Sequence, residues 1–265
     1  MYANAEIKAR LPAAVRPTVE GCTWFDSSGG YSQTRTIRLE LPGQPSRFLK
    51  VAPESHWREL RSEKDRLEWL WGKLPVPEVL SFEEERGKEF LLLSEIPGSD
   101  AASLPNGGSS ADVVRLLATG LRMVHEVSID RCPFDMSLQG EIERVRFNVA
   151  NGLVDEADLE SQHHGKTAED LLQEVLSTRP ADEDLVFTHG DYCLPNILID
   201  GNEIAGFVDW SRAGVADRYK DIALVIRSLR WNLDEHLEKD FFDAYGISDP
   251  DEAKIEYYIL LDEFW

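Results

Sequence analysis

The chain has 265 residues, with 28 Lys and Arg against 49 Asp and Glu, a net charge of −21, and 42 % of its residues are apolar. That length supports one large or two small domains with a substantial core, and seven Trp with eleven Phe argue against disorder. So acidic a chain lacks the positive face that nucleic acid or an anionic membrane requires, and it favours cationic partners.

The apolar stretches, such as 90–93, are far shorter than a bilayer span, so no membrane association is expected. The N-terminal MYANAEIKAR lacks the apolar core of a signal peptide, and Cys22, Cys132 and Cys193 can neither all pair nor show metal-ligand spacing. These features read as a cytoplasmic protein with reduced thiols. The charge is uneven: residues 1–97 carry a net −1 and residues 98–265 a net −20. This shift predicts two lobes, 1–97 and 98–265, with different partners. A merely solubilising surface on the second lobe would give the same count.

In chain order, residues 34–41 and 47–51 read as strands flanking the turn-rich LPGQPS, a hairpin signal. Residues 56–74 follow with helical spacing, Trp57, Leu60, Leu67, Leu70, Trp71 and Leu74 forming one face, and Pro75-Val76-Pro77 is expected to stop the helix. Residues 90–96 form a buried-type strand broken by Pro97-Gly98. The second lobe reads as mostly helical, with candidates at 111–127, 138–151, 167–176, 217–229 and 254–261. The one clear strand pair there is 196–199 with 203–209, turning at Asp200-Gly201-Asn202.

The chemistry concentrates in residues 186–210, VFTHGDYCLPNILIDGNEIAGFVDW. Asp191 and Asn196 lie five apart on a loop, and an antiparallel hairpin brings Asn196 within about two rungs of Asp209. An amide oxygen and carboxylates are hard donors suited to Mg²⁺ carrying a polyphosphate. Phosphoryl transfer needs such a set: a base to orient a hydroxyl, and metal ligands to neutralise phosphate charge. Asp-x₄-Asn followed by a distal Asp also matches the order of protein kinases, whose loop is H-R-D-x₄-N and whose later motif is D-F-G. Here the loop is His189-Gly190-Asp191 and the later motif Asp209-Trp210-Ser211, so the Arg is absent and Phe-Gly is replaced. Taken singly, Asp191 would be a helix cap and Asn196 a turn residue; together they favour catalysis.

The segment THGDYCLPNILI…GFVDWSRAGVADRYKDIALVIRSL resembles the aminoglycoside phosphotransferases, specifically the kanamycin/neomycin 3′-phosphotransferases of resistant bacteria. The similarity continues through EKDRLEWLWGKLPVPEVL, LLLSEIPG and LLDEFW. It implies an α+β, bilobal, protein-kinase-like fold, with an antiparallel sheet and helix in the nucleotide-binding lobe 1–97. The largely helical lobe 98–265 would carry catalysis, aminoglycoside binding and a helical insert near 135–185. The implied reaction moves the γ-phosphate of ATP, with Mg²⁺, to an aminoglycoside 3′-hydroxyl in the bacterial cytoplasm.

By resemblance Asp191 is the catalytic base, and Asn196 and Asp209 hold Mg²⁺. Lys50 grips the α/β-phosphates, where alone it would read as a solvated strand-end lysine. Glu63 would pair with it, although periodicity also allows a stripe that turns Lys64 inward. Ser32, in the loop Ser27-Ser28-Gly29-Gly30-Tyr31-Ser32, would approach the β-phosphate, although that loop lacks G-x-G-x-x-G. Phe48 would stack on adenine, while Ser94 and Ile96 would bound the hinge that binds the purine edge. The insert acids Asp155, Glu156, Asp158 and Glu160 read equally as a solvated face or as contacts for the drug's ammonium groups. The resemblance places drug contacts on Asp158, Glu160, Asp191, Arg212, Arg227, Asp262, Glu263 and Trp265. Several relatives carry acids where this chain has Ser161 and Ser228, and Phe where it has Trp265, which bears on the drug spectrum. A kinase of another small cation or alcohol, such as choline or homoserine, and a non-catalytic nucleotide-binding module are the alternatives.

Overall fold

The computed structural model describes residues 2–27, 34–53, 59–103, 110–232 and 235–265. Ser32 and the rest of its loop after Ser27, Trp57 and the expected first turn of the 56–74 helix lie outside the described residues. The chain divides into two compact units: Met1–Gly98 with Ala205–Ser211, and Ser99–Ile204 with Arg212–Trp265.

In the first unit α1 (Tyr2–Ala9) and the short α2 (Arg16–Val19) precede an antiparallel sheet. Its strands are β1 (Thr23–Asp26), β2 (Arg35–Glu40), β3 (Arg47–Pro53), β4 (Val79–Glu85) and β5 (Lys88–Ser94), in the order β1-β2-β3-β5-β4. The expected hairpin is present, with Arg35 opposite Val51 and Leu39 opposite Arg47. Successive strand side chains alternate between faces. Ile37, Leu39, Leu49, Val51, Phe90 and Leu92 share one face and pack with Ile7, Leu11, Val15 and Val19. Lys50 alternates with Leu49 and Val51, so it turns to the opposite face, which α3 (Glu59–Leu70) covers through contacts with β3, β4 and β5. This two-sided cover explains why Glu89–Leu93 of β5 is buried throughout and why Phe90–Leu93 reads as a continuous apolar run.

The helix differs from the sequence expectation at its end. α3 stops at Leu70 and the chain turns through Gly72 at φ 78°, so a left-handed glycine terminates it before the prolines. Trp71 therefore leaves the apolar face and is 57 % exposed. Leu60, Glu63, Leu67 and Leu70 are buried, whereas Lys64 is not, which settles the stripe in favour of Glu63.

The second unit contains β6 (Ser99–Asp100), α4 (Ser110–His125), α5 (Leu138–Ala150) and α6 (Ala168–Ser177). β7 (Leu185–Thr188), β8 (Ile197–Asp200), β9 (Glu203–Phe207), β10 (Gly214–Asp217), α7 (Tyr219–Asn232), α8 (Glu238–Tyr245) and α9 (Glu252–Asp262) follow, β9 carrying the chain back into the first unit. All five expected helices are found within a few residues of their boundaries; α8 is additional. Thr167 and Asp170 close a reciprocal capping box that starts α6. The expected strand pair is shorter at its open end, because Asn196 belongs to the one-turn helix Leu194–Asn196 and Asp209 lies beyond Phe207. It is also not the sole pair: β7 and β10 run antiparallel, Thr188 opposite Gly214. Acids 155–160 lie in an irregular loop rather than on a helix, and Glu156 caps α6 by accepting from the Ala168 N–H at 2.8 Å. Among the described residues no helix is long and apolar enough to cross a membrane.

Candidate active site

The first unit gathers three of the expected residues. Burial would strip Lys50 of its proton unless anions compensate. Its Nζ lies 2.7 Å and 2.9 Å from the two carboxylate oxygens of Glu63 and also donates to Asp209. Burial pulls the Lys50 pKa down, and the Asp209 and Glu63 charges outweigh it, so the ammonium is held above its ordinary range. Glu63 is pushed up by burial, opposed by Lys50. Two carboxylates thus share one ammonium.

Asp209 reaches Lys50 from a left-handed backbone, φ 66°, a conformation that non-glycine residues adopt at a cost and that marks functional sites. The surrounding segment is fixed tightly. Ser62 Oγ donates to the Ser211 carbonyl at 3.0 Å, the Phe207 N–H to the Pro75 carbonyl at 3.0 Å, and the buried Trp210 indole to the Phe207 carbonyl at 3.0 Å. A Cβ on Gly206 would lie 2.6 Å from Ile96 Cδ1 and 2.7 Å from the Pro75 carbonyl oxygen, so only glycine lets this strand pass. Ser94 is cross-linked to Glu78 through its N–H and hydroxyl, and Phe48 sits opposite Leu93 in the sheet.

The second unit holds the loop of the central motif. Gly190 has φ 82°, and a Cβ there would fall 2.1 Å from the Arg212 carbonyl oxygen. The fully buried Asp221 of α7 accepts from the His189 N–H at 2.7 Å and the Gly190 N–H at 2.8 Å. Burial would raise the Asp221 pKa, but bonds and charge from His125 and His189 overcome it and hold the carboxyl below its usual range. His125 in turn lies 2.6 Å from the Tyr245 hydroxyl. Asn196 Nδ2 donates to the Asp191 carbonyl at 3.0 Å and to Asp191 Oδ2 at 2.8 Å. Both contacts use the amide nitrogen, which orients the amide oxygen away from Asp191.

Around the C-terminus Asp262 bridges two guanidiniums. Arg212 Nη2 donates to Oδ1 at 2.5 Å and Arg227 Nη2 to Oδ2 at 2.6 Å. Burial opposes ionisation of Asp262, but the arginines pull its pKa down to about 2. Arg227 also approaches Glu160 at 3.5 Å. Glu263 accepts from the Glu160 N–H at 3.1 Å, tying the insert to the tail, and burial pushes its carboxyl up. Phe264 is buried, while Trp265 is 47 % exposed with the Arg212 guanidinium 5.2 Å from its ring centre. Asp158 is exposed. The tail acids are therefore largely engaged by this chain's own residues.

Sequence reasoning missed Asp221, His125 and the buried Lys220–Glu141 pair at 2.6 Å. The signal for Asp221 was present: a carboxylate leading the apolar run Asp221-Ile222-Ala223-Leu224-Val225-Ile226 must find buried donors.

The first unit thus pairs a buried lysine with a helix glutamate and an Asp on a left-handed backbone, and the second holds an Asp-x₄-Asn loop, residue types that phosphoryl transfer uses. A profile of the phosphotransferase enzyme family matches residues 27–258, and the chain belongs to that family. It is 43 % identical to an aminoglycoside 3′-phosphotransferase of Niallia circulans over 89 % of this chain and 90 % of the relative, and 38 % identical to one of Streptomyces fradiae over 84 % and 87 %. Its fold is similar to a crystal structure of aminoglycoside-3′-phosphotransferase of type VIII, with a TM-score of 0.87 and 36 % identity over 95 % and 97 % of the two chains. It is also similar to a Streptomyces rimosus aminoglycoside phosphotransferase in complex with ADP and streptomycin, with a TM-score of 0.82 and 27 % identity over 100 % and 99 %.

Proposed function

We propose that this chain transfers the γ-phosphate of ATP to the 3′-hydroxyl of kanamycin- and neomycin-type aminoglycosides, and so confers resistance in a bacterial cytoplasm. The observation that carries this reading is the Asp191–Asn196 pair on a loop whose backbone Asp221 clamps. Asp191 Oδ2 is occupied by Asn196, which leaves Oδ1 to accept the proton of the attacking hydroxyl. As the hydroxyl oxygen of the acceptor bonds to the γ-phosphorus, the bond from that phosphorus to the β–γ bridging oxygen breaks and ADP leaves with it. Lys50, charged and oriented by Glu63, stabilises phosphate charge.

The donor chemistry fits a magnesium ion: the Asn196 amide oxygen and the Asp209 carboxylate are hard ligands of the kind that bind Mg²⁺ together with phosphates. When bound, Mg²⁺ would neutralise charge on the β- and γ-phosphates. Ser32, Phe48, Ser94 and Ile96 are assigned to the nucleotide. Asp158, Glu160, Arg212, Arg227, Asp262, Glu263 and Trp265 are assigned to the acceptor. The relatives named aminoglycoside 3′-phosphotransferases support this substrate class.

The test is an ATP-consumption assay with kanamycin, tobramycin, choline and homoserine as acceptors, beside growth of a susceptible strain expressing the chain. Kanamycin should be phosphorylated, and tobramycin, which lacks the 3′-hydroxyl, should inhibit without accepting phosphate. Robust transfer to tobramycin would overturn the regiochemistry; transfer to choline or homoserine alone would overturn the substrate class.

A further inference from the structure

α7 carries Asp221 and Ser228 seven residues apart, two turns along the helix and so on one face. Both side chains accept backbone N–H groups from the same loop. Asp221 takes His189 and Gly190 at its start, and Ser228 Oγ takes the Leu194 N–H at 3.1 Å in a fully buried contact. Leu194 opens the one-turn helix that ends at Asn196, and Cys193, which precedes it, offers no capping side chain. A helix-opening N–H has no partner within its own turn. Ser228 therefore acts as a cap supplied from another helix. The turn it caps closes through the Asn196 N–H on the Cys193 carbonyl at 3.0 Å, and at its end the Asn196 amide is aimed at Asp191.

We propose that Ser228 is a positioning residue that sets the orientation of Asn196 and so the metal affinity of the site, an inference resting on the assignment of Asn196 to Mg²⁺. The neighbouring Arg227 points to Asp262 at 2.6 Å, so consecutive residues of α7 serve the C-terminal cluster and the Asn196 turn separately. Loss of the Ser228 hydroxyl leaves a buried N–H without its acceptor, a change that the turn relieves by shifting. The resemblance ties position 228 to the drug spectrum, but here the Ser228 hydroxyl is buried and accepts from the Leu194 N–H, so the effect should fall on metal dependence and spare acceptor binding.

The experiment compares Ser228→Ala and Ser228→Thr with the wild type by two measurements. In amide hydrogen exchange, the Leu194 and Asn196 N–H groups should exchange at least tenfold faster in S228A and near the wild-type rate in S228T, which keeps the hydroxyl. In kanamycin phosphorylation, the Mg²⁺ concentration giving half-maximal rate should rise at least fivefold in S228A, with KM for kanamycin within twofold and recovery in S228T. Faster exchange with an unchanged Mg²⁺ midpoint would reduce Ser228 to a structural residue, and unchanged exchange would remove the bond itself; either result overturns the proposal. If S228A does not fold, Ser228→Cys, whose sulfur accepts weakly, carries the same comparison. A wild type that transfers no phosphate to kanamycin would defeat the functional reading instead, while the exchange measurement would still judge the cap.

Discussion

Two single residues hold charge in opposite ways. Lys50 is one buried ammonium serving two carboxylates, so its removal strands Glu63 in the interior. Breaking such a pair from one side costs about 3–5 kcal/mol. Lys50→Met should therefore lower the melting temperature and also raise KM for ATP, and thermal melts with ATP titration check both; a variant as stable and as active as the wild type would refute the assignment. Asp191→Asn keeps the shape and a contact with Asn196 but removes the proposed proton acceptor. Its expected result in steady-state kinetics is loss of kcat by orders of magnitude with KM for ATP nearly unchanged. Asp262 is one carboxylate serving two guanidiniums, with its folded pKa drawn down to about 2 against the ordinary 3.8. Because the folded value is depressed, its stabilisation of about 2 kcal/mol is complete above the ordinary carboxylate range and is lost as pH falls from about 4 towards 2. Denaturant unfolding of wild type and Asp262→Asn should differ by a constant amount from pH 7 to about 5, narrow below about pH 4 and converge towards pH 2. A gap that persisted to pH 2 would show that Asp262 acts by shape rather than charge.

At the scale of elements, β9 and the segment behind it depend on one close approach. The carbonyl of Pro75 and the side chain of Ile96 occupy the space where a Gly206 Cβ would sit. The carbonyl cannot yield as a side-chain tip can, so Gly206→Ala should cost about 1–3 kcal/mol of stability. If Ile96 bounds the purine, the same variant should raise KM for ATP more than KM for kanamycin; an equal rise in both would detach Ile96 from the nucleotide. The sequence made elements legible wherever one face decided the pattern. The β2–β3 hairpin, α4, α5, α6 and α9 could be read because apolar spacing and turn residues agreed. The short strands β6, β7 and β10 escaped because two to four residues give no period, and α1 and α2 because the few anchors in and between them, Ile7, Leu11, Val15 and Val19, gain meaning only against the sheet they cover. Within the candidate site, residue types were legible from spacing, whereas partners were not. Nothing in the string LLDEFW tells that Asp262 is held by Arg212 and Arg227, fifty and thirty-five positions away.

For the molecule as a whole the deciding quantity is charge. Residues 98–265 carry a net −20, against −1 for residues 1–97, so a polycationic acceptor meets a strongly negative field over that part of the chain. Asp262 supplies little of that field, because its two arginines compensate it, and Glu160 is partly offset by Arg227. The attraction therefore rests on exposed, uncompensated acids such as Asp158 and on the summed surface charge. Exposed charge is screened over about 10 Å at 0.1 M salt and about 3 Å at 1 M, whereas buried ion pairs are screened much less. KM for kanamycin should consequently rise several-fold between 0.05 and 0.5 M NaCl, roughly in step with that screening. Asp158→Asn should flatten this slope, since it removes an exposed charge. Asp262→Asn should raise KM at every salt concentration without flattening it, since it unleashes two arginines against a cationic ligand. Deleting residues 262–265 is a poorer probe, because it also removes the buried Phe264. A KM for kanamycin indifferent to salt, with Asp262→Asn harmless, would mean that the drug is recognised by shape and neutral hydrogen bonds, and that the acidity of this unit serves only to keep it in solution.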